Sequence, residues 1–361
     1  MIWNGLDKSH TNLYKGIGIL LIMMHNFLHR FSQPKENEMD FDPNRINELG
    51  YILSEDPAGA FRGIMSYFGH FGVQIFVFLS AYGISTKYKE KEIKYFHFIS
   101  NRLKKIYIAF VLAIVFYVLY MSSVKIIILG ENFENIFYFV EQIYKPILIK
   151  LTLTFNLIPG QGFSIVGPWW FMGMIFQFYL IFPLIFNAYK RYGESFLALP
   201  FTISLLIILY SKGYIGEVSI FFTILGHLPV FIIGIYLSRY NGNINTIILP
   251  ISISIFYIGN INDIFFLLSH LSILISFIFI SYNTIKKINN NTQVYKLLYE
   301  LGVMSMPLFL LNGFLRFPLE NIAHRMDNEL ITIFLCMLFI SLCYFMSLLF
   351  ININKWILQK L

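Results

Sequence analysis

The chain has 361 residues, of which 57% are apolar and only 13% charged. A water-soluble domain carries about a quarter charged residues, so this composition, with a mean hydropathy of +0.65, belongs to the membrane class and makes a count of soluble domains by length irrelevant. The net charge of +7, from 27 basic and 20 acidic residues, does not indicate a nucleic-acid partner, because the basic residues sit in short loops between apolar runs and form no polar surface of their own.

The first apolar run starts near Leu13 and continues past Phe27. It is too long for a signal-peptide core, and no small-x-small cleavage site follows, so it is expected to stay as a span. From there the sequence predicts ten spans: 13–32, 66–86, 106–124, 169–189, 196–211, 218–238, 244–259, 262–282, 301–319 and 330–353. Most have the roughly 20 residues that a helix needs to cross the hydrocarbon. Barrel strands need only about ten residues of alternating character, so the fold class expected is an all-α polytopic bundle forming one domain over 1–361.

The loops orient the bundle. With the N-terminus in the cytoplasm and every span reversing the side, the inner segments collect 17 basic and five acidic residues, and the outer ones 10 basic and 15 acidic. The densest basic block, Lys87 to Lys105, lies on one short inner loop, as the positive-inside rule requires. Both termini are then cytoplasmic. The outer segments 33–65 and 125–168 are long. The second holds an apolar stretch from Ile136 to Phe155 that reads as an interfacial amphipathic helix or a re-entrant element. Cys336 and Cys343 are seven apart in one apolar helix, which excludes a disulfide scaffold and a Cys-based metal site; no metal is expected.

Titratable groups inside spans are functional hypotheses, and the foremost is His25. It lies about 18 Å from the inner end of its span at helical rise, too deep for its ring to reach water along the chain. Burial disfavours the imidazolium, leaving a neutral ring that can take a proton. His29 shares its face but sits nearer the outer interface, in a solvated position. Gln74, Ser80, Gln177, His227 and Asn312 punctuate other spans and together suggest a polar interior. Gly69-His70-Phe71-Gly72 lets backbones pack closely, with His70 expected at the surface. Arg102 and Lys105 share a face at the inner start of the third span; they read as topology determinants and headgroup contacts, or as a cradle for phosphates.

Four ordered segments carry a resemblance to a known family. They are Lys15 to Asn26; Phe71-Gly72-Val73-Gln74-Ile75-Phe76-Val77-Phe78-Leu79-Ser80-Ala81-Tyr82-Gly83-Ile84; Asn101-Arg102-Leu103-Lys104-Lys105-Ile106-Tyr107; and Trp169-Trp170-Phe171 followed by Gln177-Phe178-Tyr179-Leu180-Ile181-Phe182-Pro183. This set resembles the acyltransferase-3 family of integral membrane O-acyltransferases, which modify bacterial surface glycans. Weaker echoes are His227 to Gly234 and Leu301 to Ser305. The chain departs from the family pattern in places. Lys15 and His25 have nine residues between them, where the family's basic residue and His have ten. Asn101 replaces the first Arg of the third motif, and Asn312 stands where the family has a C-terminal His.

The resemblance implies an acyl-CoA donor, most often acetyl-CoA, whose phosphates meet Arg102 and Lys105 at the inner mouth. It implies His25 as the catalytic group, acting as general base or as transient acyl carrier. Asn26, Gln74 and Gln177 are amide candidates for holding the carbonyl or the acceptor, and Lys15 and Tyr179 are supporting motif residues. The implied acceptor is a glycan or lipid-linked sugar, and the implied location a bacterial cytoplasmic membrane, surrounded by lipid. Rival expectations are a secondary transporter or glycan flippase, for which no paired repeat with broken helices is evident, and a scaffold without chemistry.

Overall fold

The computed structural model describes residues 1–31 and 34–360. Its helices, in chain order, are α1 (Lys8–Leu28), α2 (Arg45–Glu55), α3 (Ala60–Phe68), α4 (Gly72–Lys87), α5 (Tyr95–Ile127), α6 (Phe133–Leu151), α7 (Trp170–Tyr192), α8 (Ser195–Ser211), α9 (Ile224–Leu237), α10 (Ile248–Gly259), α11 (Asp263–Phe266), α12 (Ser269–Lys287), α13 (Gln293–Val303), α14 (Ser305–Leu315), α15 (Phe317–Met326) and α16 (Glu329–Lys360). The fold is all-α apart from two-residue strands. Each of the ten apolar stretches contains a helix, and the apolar segment 136–155 lies largely in α6. Among the described residues, four helical segments are long and apolar enough to cross a membrane alone: Pro57–Lys87, Tyr95–Ile127, Gly167–Tyr192 and Glu329–Lys360.

The stretch expected to form one span over 301–319 is instead broken. α13 and α14 meet at 81°, and a second break follows at Arg316. Pro307 is the third residue of α14 and has no N–H to continue the ladder of α13. Gly302, at the end of α13, lies so close to α1 that an added Cβ would sit 1.8 Å from the Asn12 carbonyl oxygen, and one on Gly16 would sit 2.0 Å from that of Leu298. Two glycines thus let α13 lie backbone-to-backbone along α1, as small residues do where helices associate without a hydrophobic drive. The chain bends to follow that contact.

One end of the bundle is tied by the N-terminus. Ile2–Trp3 pairs antiparallel with Gly242–Asn243. The Trp3 indole donates to the Leu237 carbonyl at 2.9 Å and stacks on Tyr282, with ring centroids 4.6 Å apart. The Leu6 N–H donates to the Tyr82 hydroxyl at 2.6 Å. These contacts gather the C-terminal ends of α4, α9 and α12 beside the start of α1. The opposite end holds the last turn of α1 and the starts of α4, α9 and α12, and there the buried polar groups collect.

Candidate active site

The last turn of α1 presents His25, Asn26 and His29 to a cavity of about 440 Å³. His25 is buried, at 3% exposure. Its Nδ1 lies 2.8 Å from the Ser66 carbonyl oxygen. A carbonyl only accepts, so Nδ1 carries the hydrogen and Nε2 is left with a lone pair. Gly69 makes this possible: an added Cβ there would meet the His25 Cβ at 2.7 Å, so only glycine lets α3 and the turn after it press onto α1.

The facing wall is the loop that follows α1. The Arg45 guanidinium donates to the carbonyl of Glu36 at 2.8 Å and to both carboxylate oxygens of Asp40, at 3.0 and 2.8 Å. The Asn37 Oδ1 accepts from the Asp42 N–H at 2.9 Å, and the Ser219 hydroxyl pins the Met39 carbonyl at 2.6 Å. The loop so folded turns Glu36 inward. Its Oε1 is 3.1 Å from His29 Nδ1 and 3.9 Å from His25 Nε2. Burial alone would raise the Glu36 carboxyl, but the hydrogen bond with His29 leads the effects that outweigh it and holds the group well below the usual carboxylate range. Glu38, on the same wall, goes the other way: desolvation first, then the charges of Glu36 and Asp40, push it up to about 8. It is a neutral acid beside an ionised one, so two adjacent carboxyls hold different charge at neutral pH.

The third wall carries a cation. Arg316, at the break between α14 and α15, lines the cavity, donates to the Asn26 carbonyl and lies 3.5 Å from Glu320, which also holds Arg30 at 2.9 Å. The Asn26 amide donates to Asn312 Oδ1 at 2.5 Å, and the Asn312 amide donates to the Leu308 and Phe309 carbonyls. Phe163, Ile165, Pro168 and Trp170 close the remaining side. Ile165 sits at φ +63°, a left-handed backbone that a β-branched residue rarely adopts. Such strain persists only where the surroundings impose it. Here Val166 packs so near Gly313 that an added Cβ would meet it at 2.4 Å.

Of the polar residues singled out in the sequence, His25, Asn26 and His29 line this cavity. Gln74 instead meets His227 Nδ1 at 3.1 Å, joining α4 to α9, and Gln177 donates to Asn156 Oδ1 at 2.8 Å, tying α7 to the connection that precedes it. Arg102 lies over the rings of Tyr179 and Phe98, at 5.2 and 5.4 Å. Lys105 is exposed and Lys15 half-buried, away from the cavity lining. Two expectations are corrected. His70 is 3% exposed rather than on the surface, because the glycines flanking its turn draw it between α1 and α12, where its ring lies 5.4 Å from His25 and 6.5 Å from His270. His29 is not simply solvated; it is paired with Glu36. Sequence reading missed Glu36, Glu38 and Arg316. The signal available for Glu36 was its place just beyond the His25–His29 face, between the turn formers Pro34 and Asn37.

A buried imidazole with a lone pair on Nε2, a carboxylate and a guanidinium thus face one cavity, a combination suited to group transfer. The family model for an acyltransferase domain matches residues 11–350, nearly the whole chain, and the chain belongs to the acyltransferase-3 family. It is a multi-pass membrane protein and an acyltransferase. No curated protein and no solved structure matches it.

Proposed function

We propose that the protein moves an acetyl or other short acyl group from acyl-CoA to a hydroxyl of a surface glycan or lipid-linked sugar, with His25 as general base. The observation that carries this reading is the His25 ring itself: Nδ1 is fixed on the Ser66 carbonyl, and Nε2 faces Glu36 across a cavity. As the acceptor oxygen attacks the thioester carbonyl, Nε2 takes its proton. The imidazolium so formed gains Glu36 as counter-ion, and the Arg316 guanidinium, on the same cavity, stabilises the tetrahedral oxyanion. Collapse expels the CoA thiolate, which recovers the proton from His25. A carboxylate at this distance favours the base role over transient acylation, since it stabilises the charge that only proton uptake creates.

In this reading ten helical passes place both termini in the cytoplasm of a bacterial cell, and the His25 cavity opens toward the outer side. The donor enters from the inner side, with its phosphates at Arg102 and Lys105 and its pantetheine arm directed along the bundle. The gathering of the ends of α4, α9 and α12 around the N-terminus supports this alternation. The test is to incubate labelled acetyl-CoA with membranes containing the protein and identify the labelled acceptor. His25→Ala is expected to abolish transfer while inserting normally. Full transfer by a correctly inserted His25→Ala protein removes the assignment, and a transporter or flippase neither binds nor hydrolyses acetyl-CoA.

A further inference from the structure

The base does not exhaust what the cavity can bind. His25 and His29 are one helical turn apart on α1 and so project together, with ring centroids 4.6 Å apart. Glu36 reaches over from the loop, and one donor atom from each of the three residues lies within 4.8 Å of the other two. The Glu36 oxygen already stands 3.1 Å from His29 Nδ1 and 3.9 Å from His25 Nε2. Ligands about 2.0–2.2 Å from a tetrahedral Zn²⁺ lie roughly 3.3 Å from one another, so two of the three separations bracket what an ion needs. Small side-chain rotations complete the set.

The surroundings suit a dication as well. The His25 Nδ1 hydrogen bond to the Ser66 carbonyl is the outer-shell contact that usually fixes a metal-binding imidazole and directs its other nitrogen to the ion. The fourth position faces the cavity of about 440 Å³, where a water or an acceptor hydroxyl completes the shell. Two imidazoles and one carboxylate suit Zn²⁺ or Co²⁺ rather than Mg²⁺ or Ca²⁺, which prefer oxygen.

We propose that His25 Nε2, His29 Nδ1 and a Glu36 oxygen form a three-ligand site for a transition-metal dication, Zn²⁺ by preference, whose occupation takes up the lone pair on His25 and so inhibits acyl transfer. The binding part stands by itself; the inhibitory part rests on His25 acting as base. No bond in a substrate is made or broken by the ion.

The test uses the full-length protein in detergent, stripped with a chelator and titrated with Zn²⁺ against a chromophoric competitor, with Co²⁺ as the visible-absorption probe. One equivalent should bind, with four-coordinate Co²⁺ absorption and a raised unfolding temperature. Binding should be lost in His29→Gln and in Glu36→Gln, and lost on acidification as the imidazoles take protons. His97→Ala, whose histidine lies in the first turn of α5, should bind as the unaltered chain does. No binding, or one-equivalent binding that survives both Glu36→Gln and His29→Gln, overturns the site. If the ion binds at the triad and metal-free protein transfers acetyl groups, transfer should fall with occupancy and return on chelation; undiminished transfer at full occupancy overturns the inhibition. Triad-dependent binding by a chain that never transfers acetyl groups upholds the site and removes the base assignment instead.

Discussion

Glu36→Gln tests the proposed chemistry at the carboxylate that faces His25 across the cavity. The change keeps size and hydrogen-bonding shape but removes the charge that would face the His25 imidazolium. Two unit charges 4 Å apart interact by about 4 kcal/mol at an effective dielectric of about 20. The separation here is 3.9 Å, but the carboxylate is shared with His29 at 3.1 Å and the cavity admits water, so about 2 to 3 kcal/mol is the share expected to reach the transition state. At 1.36 kcal/mol per factor of ten, kcat should fall roughly 30- to 150-fold. Because neutral His25 in the resting enzyme gains little from Glu36, the KM for acyl-CoA should change little, the pattern of an interaction made only in the transition state. The assay is acetyl transfer at saturating acetyl-CoA, with insertion and thermal unfolding measured on the same preparation. A folded Glu36→Gln protein whose kcat stays within about threefold of the parent would refute the ion-pair argument.

Two further outcomes test the packing and the loop electrostatics. Gly302→Ala should destabilise the chain strongly, because its Cβ would fall 1.8 Å from a backbone oxygen of α1 that cannot move aside; the cost should meet or exceed the ~1–3 kcal/mol of ordinary overpacking. Gly83→Ala, with nothing within 4 Å of its added Cβ, should be neutral or slightly stabilising, so similar unfolding temperatures for the two variants would contradict the α1–α13 contact. Glu38→Gln should stabilise in a pH-dependent way. The folded chain keeps on Glu38 a proton that the unfolded chain releases above about 4.5, with the folded value near 8. Stability from this group is therefore full below about pH 4.5, declines as pH rises, and levels off above about pH 8. The variant's gain in unfolding temperature should be small near pH 5 and largest above pH 8; an equal gain at both ends would show that Glu38 is ionised throughout.

The all-α class and a helix within each of the ten apolar stretches were legible because hydrocarbon demands long apolar runs whose backbone groups are satisfied within the segment, and that demand is local. His25 was legible for the same reason: an imidazole that deep in an apolar run is costly and stands out against its neighbours. Its partners carried no such mark. Glu36 belongs to a polar loop, where acidic residues are ordinary, and only the Arg45, Asn37 and Ser219 contacts turn it inward. Arg316 counted as one more outer basic residue until the break at Pro307 and the close seating of Gly302 on α1 brought it against Asn26. Gln74 and Gln177, amide candidates in the sequence, are held elsewhere, Gln74 by His227 of α9 and Gln177 by Asn156 in the connection before α7. Sequence by itself determined which segments are apolar helices and marked His25 within the first of them. Tertiary structure alone decided which polar groups meet that ring, because hydrogen bonds and ion pairs between segments 11 to 290 residues apart depend on where the backbone bends and how closely glycines let it approach.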